Sequence, residues 1–423
     1  MAACCTRALF FGEEVDQPGF EAGDGAVVLC AACAGTCAGF RASGASGVPA
    51  PVRPRGAASP FECGCASLGA CLFESRLGEA MGSDATRALL RKRRVEGSPR
   101  RQKMRQRIAG YLAGAERQHA PGAIEQARHA LPMADLLAAV PPGVMGDADA
   151  FAEALLRAVL RWFKKEFFAW VDTLPCPTCG GPTAHAPGGG APTEEDMRHG
   201  ARRVEIHACT ADACEGAARF PRYNDPVKLL ETRRGRCGEW ANCFTLIAAA
   251  LGYDARICYD WTDHVWTEVW LSGPPSGAGL GAVSGRWVHM DSCENAFDRP
   301  RMYEKGWGKR LSYVVAVSPD FGAVDVSRRY VLNYADTLTR RTECSEADLH
   351  SICVELQEAA RHRLVGAHDE RRAEEVAQRH RADTASLDAD HAGALTGAAA
   401  EEGGEQARQS GSLAWRAARG ELG

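Results

Sequence analysis

The run ETRRGRCGEWANCFTL, with DWTDHVWTEVW and WVHMDSCEN after it, constrains this chain more than any other feature. It sets Cys237, His264 and Asp291 on three separate elements in that order. GEWANCFTLIAAA reads as a helix ended by Gly252, so Cys237 stands at a helix start, where free backbone N–H groups and the dipole favour a thiolate. Aromatic and β-branched residues make WTEVW a strand opened by His264, and RWVHM a second strand leading to Asp291. Helix, strand, strand is a mixed α+β core that delivers a nucleophile, a base and a group to orient the base.

The flanks carry a resemblance. RFPRYNDPVKLLETRRGRCGEWANCFTL, DWTDHVWTEVW, WVHMDSCENAFDRPRMYEKGWGKRLSYVVAVSPD and DVSRRY are similar to the cytoplasmic peptide:N-glycanases, amidases that remove N-glycans from misfolded glycoproteins. The likeness runs from about residue 150 to about 340. It implies a transglutaminase-like (papain-like) core over residues 146–345, with Cys237, His264 and Asp291 as its catalytic residues. It also implies that Trp266, Glu294 and Trp307 lie on the glycan side of the cleft. Relatives of this kind bind proteasome-shuttle ubiquitin receptors, so such receptors join misfolded N-glycoproteins as expected partners.

The resemblance leaves competing chemistries to weigh. The same triad serves a transglutaminase, where an amine takes the acyl group in place of water, and a papain-like protease. A silent adaptor of the ubiquitin–proteasome pathway is the alternative from another class. The flanking strings favour the glycanase, and an intact triad argues against the adaptor.

Two cysteine pairs precede the nucleophile. Cys176-x2-Cys179 and Cys209-x4-Cys214 bracket about thirty residues, within 176–214. Four thiolates close a tetrahedron around Zn²⁺ and leave no position for a reacting water, so the metal is expected to be structural. The wider second spacing leaves His207 as an alternative to one thiolate.

The chain has 423 residues, 18 cysteines and a net charge of −4. That length allows two or three domains, and the charge gives no case for nucleic-acid binding. No apolar run reaches the ~18 residues of a membrane span. MAACCTRALFFGEEVDQPGF lacks a basic start and a long apolar stretch, so the expected setting is cytoplasmic and without a disulfide framework. Residues 1–75 hold eight cysteines, among them Cys30, Cys33, Cys37, Cys63, Cys65 and Cys71. VLCAACAGTC and FECGCASLGAC resemble a UBR-type zinc finger stripped of its histidines. Residues 76–145 read as a basic helical linker whose run RKRRVEGSPRRQK also suits nuclear import. Residues 147–174 read as one amphipathic helix, with Leu156, Val159, Leu160, Phe163 and Phe167 on one face. For 346–423 the expectation is a helix capped by Ser345, then a frayed helix and a disordered tail.

An amide is a poor acyl donor, so the site needs a thiolate and a protonated leaving group. His264 serves both, and Asp291 holds its ring. Two donors are needed for the oxyanion. The Cys237 N–H is one, and the Trp240 and Trp266 indoles compete for the other. Cys243, Cys258 and Cys293 carry no partner signal, and His289 reads as packed.

Overall fold

The computed structural model describes residues 98–272, 285–396 and 407–422. The expected cysteine-rich module at 1–75 and the basic run before Ser98 lie outside the described residues.

Helices α1 (Pro99–Gln118), α2 (Pro121–Ala130), α3 (Met133–Ala138) and α4 (Ala148–Trp162) come first. Short strand β1 (Ala169–Trp170) follows, then β2 (Thr183–His185), helix α5 (Glu194–Arg198), β3 (Val204–Cys209) and β4 (Ala217–Pro221). Helix α6 (Pro226–Thr232) and strand β5 (Arg234–Gly235) lead into α7 (Cys237–Ala250). The main sheet uses β6 (Ala255–Asp260), β7 (His264–Ser272), β8 (Gly285–Asp291), β9 (Ala296–Phe297), β10 (Val314–Ser318) and β11 (Gly322–Asp325). Between and after them lie α8 (Met302–Lys305), α9 (Ser327–Tyr330), α10 (Tyr334–Arg340), α11 (Glu346–Gly366), α12 (Glu370–Thr396) and α13 (Leu413–Ala417).

The main sheet is antiparallel in the order β11-β10-β6-β7-β8-β9. Alternation along its strands separates two cores, as a period of two requires. Ile257, Val315 and Val317 pack with α1 and α11 residues such as Ile108 and Ile352. Cys258, Val314 and Ala316 turn to the other face, beneath Trp266, Tyr303 and Tyr330. α7 is apolar on most of its surface and buried from Glu239 to Ala250, as a helix enclosed on all sides must be. It lies against β6 and β7.

Three expectations change. Residues 98–145 are no linker: α1 buries Met104, Ile108, Leu112 and Ala115, because those positions recur at helical spacing beneath the charged surface. The helix expected over 147–174 stops at Trp162, and a π-helical turn over Phe163–Phe167 brings Phe168 into extended backbone. That break lets β1 pair in parallel with β5, whose next residue but one is Cys237. The third change lies beyond Gly366. α12 is neither frayed nor detached, since its Asp383 enters a buried cluster. Arg256 bridges Glu268 at 2.6 Å and Asp383 at 2.7 Å, and Arg329 bridges the same two acids at 2.7 Å each. Tyr330 adds a hydroxyl to Glu268 at 2.6 Å. Residues 407–422 are also packed, with Arg408 and Glu421 buried.

Candidate active site and thiolate cluster

The folded chain brings Cys237, His264 and Asp291 together from α7, β7 and β8. Cys237 is the first residue of α7 and is partly exposed, while His264 and Asp291 are buried. β7 lies between β6 and β8, and α7 runs across it, so the register of one sheet fixes the base and its orienter beneath the helix start.

His264 Nε2 meets Asp291 Oδ2 at 2.7 Å. Burial disfavours the imidazolium, but the Asp291 charge and hydrogen bond outweigh it and raise the His264 pKa. Asp291 is likewise opposed by burial, and the His264 charge with further hydrogen bonds carries it well below the usual carboxylate range. Burial raises the Cys237 thiol, but the His264 imidazole beside it and the Arg408 charge more than compensate, so it ends lower; His264 Nδ1 itself makes no hydrogen bond. Burial drives Cys258 and Cys293 well above their ordinary values, and Cys243 upward too. Of these four thiols only Cys237 is poised as a thiolate, and the thiolate is the nucleophile.

Asp291 is held by more than His264. Tyr303 donates its hydroxyl to Asp291 Oδ2 at 3.0 Å. The Cys293 N–H and thiol both reach Oδ1 at 3.1 Å, and the Glu294 N–H follows at 3.3 Å. His289 Nδ1 accepts the Arg299 backbone N–H at 3.3 Å, so its Nε2 carries the proton toward Tyr303 Oη at 2.7 Å. Burial lowers the His289 pKa to about 4, so the ring stays neutral and braces Tyr303. His289 is thus the packed ring expected. The role of Cys293 was not legible in its spacing.

The approach to Cys237 is fixed by a second network. Glu239 accepts the Arg236 backbone N–H at 3.0 Å and takes Arg222 on both oxygens, at 2.5 and 2.8 Å. A side chain on Gly235 would run into Glu239, so this position admits only glycine. Arg236 reaches across to Glu205 of β3 at 2.7 Å and to the carbonyls of Val171 and Asp172. Burial works against the Glu205 charge, yet Arg236 and Arg222 hold its pKa down to about 2. The sheet that carries Cys209 is therefore tied directly to the start of α7.

At the end of that sheet the sulfurs of Cys176, Cys179 and Cys214, on turns and loops, and of Cys209, the last residue of β3, lie within 4.8 Å of one another. Cys176 and Cys214 are 3.7 Å apart, and Cys179 and Cys209 3.5 Å. Four thiolates about 2.3 Å from a tetrahedral ion sit roughly 3.8 Å apart, so the cluster can hold a metal ion. His207 is not a member: its Nδ1 accepts the Leu174 backbone N–H at 2.8 Å.

The other expected site residues are placed less simply. Trp240 spends its indole N–H on the Gly235 carbonyl at 3.2 Å and is not available as an oxyanion donor. The Trp266 indole N–H has no hydrogen-bond partner. Trp266 is buried, with Tyr303 stacked at 4.4 Å and Tyr330 tilted at 4.6 Å, so it presents no open face to a sugar. Trp307 is buried as well, its ring 4.9 Å from His264. Glu294 borders a cavity of about 210 Å³ with Asn295, Arg299 and Gln409.

Residues 189–292 match the transglutaminase-like superfamily model, a span that contains Cys237, His264 and Asp291. The chain carries a transglutaminase-like domain. Residues 261–376 also match the Rad4 transglutaminase-like domain. The peptide-N(4)-(N-acetyl-beta-glucosaminyl)asparagine amidase of Gallus gallus is 48% identical over 269 residues, 64% of this chain and 38% of that protein. Its counterpart in Homo sapiens is 45% identical over the same shares. That of Arabidopsis thaliana is 42% identical over 64% of this chain and 34% of its own length. The chain thus spans 34–38% of these curated relatives. A solved Rad4–Rad23 complex bound to a 6-4 photoproduct lesion aligns at TM-score 0.35 and 14% identity, over 60% of this chain and 56% of that one.

Among the described residues no helix is long and apolar enough to cross a membrane.

Proposed function

We propose that this chain is a peptide-N4-(N-acetyl-β-glucosaminyl)asparagine amidase, releasing N-glycans from misfolded glycoproteins in the cytoplasm. The observation that carries the reading is a cysteine that opens α7 in the same site as a His264 ring that Asp291 holds at 2.7 Å. The 42–48% identity to curated amidases supports the choice of substrate.

The Cys237 thiolate attacks the side-chain carbonyl carbon of the glycosylated asparagine. The His264 imidazolium gives its proton to the departing glycosylamine nitrogen, which leaves an acyl-thioester on Cys237. Water, deprotonated by His264, then attacks the thioester carbonyl. Aspartate and the thiolate are released, and His264 is again protonated. Asp291 keeps the ring aligned and stabilises its charge. Glu294 lines the cavity beside the site and is assigned to the glycan side, whereas Trp307, buried against His264, supports the ring. Trp266 serves better as a support beneath His264, since its indole N–H is buried away from any substrate oxygen.

A denatured glycoprotein incubated with the chain should lose its glycans, with asparagine converted to aspartate by mass spectrometry. The native glycoprotein should react far more slowly, because the cleft must admit peptide backbone along with sugar. Intact glycans on the denatured substrate would sink the assignment. Equal rates on both forms would remove the preference for misfolded protein.

Cys176, Cys179, Cys209 and Cys214 are assigned to one structural Zn²⁺, which supplies cross-linking and no chemistry. The double variant Cys176→Ser/Cys209→Ser should hold about one zinc ion fewer per chain than the wild type. It should melt earlier and turn over more slowly, since Glu205 on the same sheet positions Arg236. Unchanged metal content would refute the ligand set.

A further inference from the structure

Residues 407–422 cross the catalytic face and are pinned beside each member of the triad. The Gln409 and Ser410 backbone N–H groups donate to the Glu294 carboxylate at 2.8 and 3.0 Å, three residues past Asp291. Arg419 pairs with Asp263 at 2.6 Å, next to His264. The Ser412 N–H donates to Asp172 Oδ2 at 2.6 Å, on the residue whose carbonyl holds Arg236, the neighbour of Cys237.

Within this strap Arg408 is wholly buried. Its guanidinium lies over Trp415 at 4.5 Å, Trp307 at 4.7 Å and Trp170 at 5.3 Å. Nη1 pairs with Glu421 at 2.6 Å, and Nε donates to Ser410 Oγ at 3.1 Å. Nη2 is buried and makes no hydrogen bond. An unspent donor on a buried cation is costly and marks a place where negative charge belongs. The Ser410 hydroxyl meets the Cys293 sulfur at 3.8 Å, and the Trp307 beneath the guanidinium edges His264 at 4.9 Å, so the free nitrogen belongs to the catalytic centre.

We propose that Arg408 is a positioning residue of the active site, a buried cation brought in by the strap to hold the negative charge that Cys237 carries as a thiolate. The inference rests on Cys237 being the nucleophile and does not depend on a glycan being the substrate. The charged and titratable groups around Cys237 are His264, Arg408 and Asp263, and burial is opposed by the first two. Around Arg408 stand the neutral Cys293 thiol, and Cys237 and Glu421, whose negative charges favour its cationic form against burial. Lys309 and Arg419 also reach Glu421, so that acid is shared and does not fully neutralise Arg408.

The sign is fixed. A cation near a thiolate lowers the thiol pKa, so removing it moves thiolate formation to higher pH. The test is the pH profile of Cys237 alkylation by iodoacetamide in the full chain, followed by mass spectrometry of the Cys237 peptide, with no glycoprotein present. Arg408→Gln should raise the midpoint by about one pH unit, a tenfold slower alkylation below the midpoint. Arg408→Lys, which keeps the charge, should restore most of it. A folded Arg408→Gln with an unmoved midpoint would overturn the proposal. If Arg408→Gln does not fold, Glu421→Gln decides, since removing the acid that offsets Arg408 should lower the midpoint. An unchanged or raised midpoint there would overturn it equally.

Discussion

Cys237→Ala and Cys237→Ser are expected to lose deglycosylation by about 10⁴-fold or more while keeping the wild-type fold. The loss is large because, among the described residues, no other thiol beside the site can take over. Cys293 is the nearest substitute, but burial and the Asp291 charge hold its thiol protonated, and its N–H and sulfur are committed to Asp291. Serine fails for a related reason: a hydroxyl is far harder to ionise than a thiol, and a site that stabilises a thiolate does not close that gap. The fold should survive because Cys237 is partly exposed at the first turn of α7, where alanine is a good helix former. Turnover of a denatured glycoprotein, beside circular dichroism and the melting temperature, measures both halves. Near-normal turnover in a folded variant would remove Cys237 from the mechanism and the proposed function with it.

Asp383→Ala should cost about 3–5 kcal/mol of stability. Asp383 accepts Arg256 and Arg329 at 2.7 Å each in a cluster with almost no solvent contact. Its removal leaves two guanidiniums facing Glu268 alone, and an uncompensated buried charge costs more than the pair contributes. The consequence reaches the active site, because Arg256 and Glu268 lie on β6 and β7 and β7 begins at His264. Urea denaturation of the full chain reads the effect. A loss under about 1 kcal/mol, the range of exposed ion pairs, would mean that α12 is loosely attached and that the cluster is not the anchor described above.

The sequence by itself was enough for the triad's elements. A helix starting just after Cys237, a strand opened by His264 and a strand just before Asp291 all follow from local periodicity, and α7, β7 and β8 each extend to include the triad residue. The cysteine pairs were legible for the same reason, since two-residue and four-residue spacings are geometric statements about a short stretch of backbone. What the sequence could not determine were meetings between side chains far apart along the chain. Tyr303 and Cys293 on Asp291, Glu205 on Arg236, and Arg408 beside the Trp307 ring leave no period to read. Composition even misled at the end of the chain. The Arg-, Glu- and Ala-rich stretch after about residue 362 reads as solvated, because its charges outnumber its apolar residues. Only tertiary structure shows that Asp383 and Arg408 are buried against opposite charges and aromatic rings. The physical reason is that a charge is placed by its partners, and those partners, Arg256 and Arg329 for the one, Glu421 and three tryptophans for the other, are brought to it by the fold.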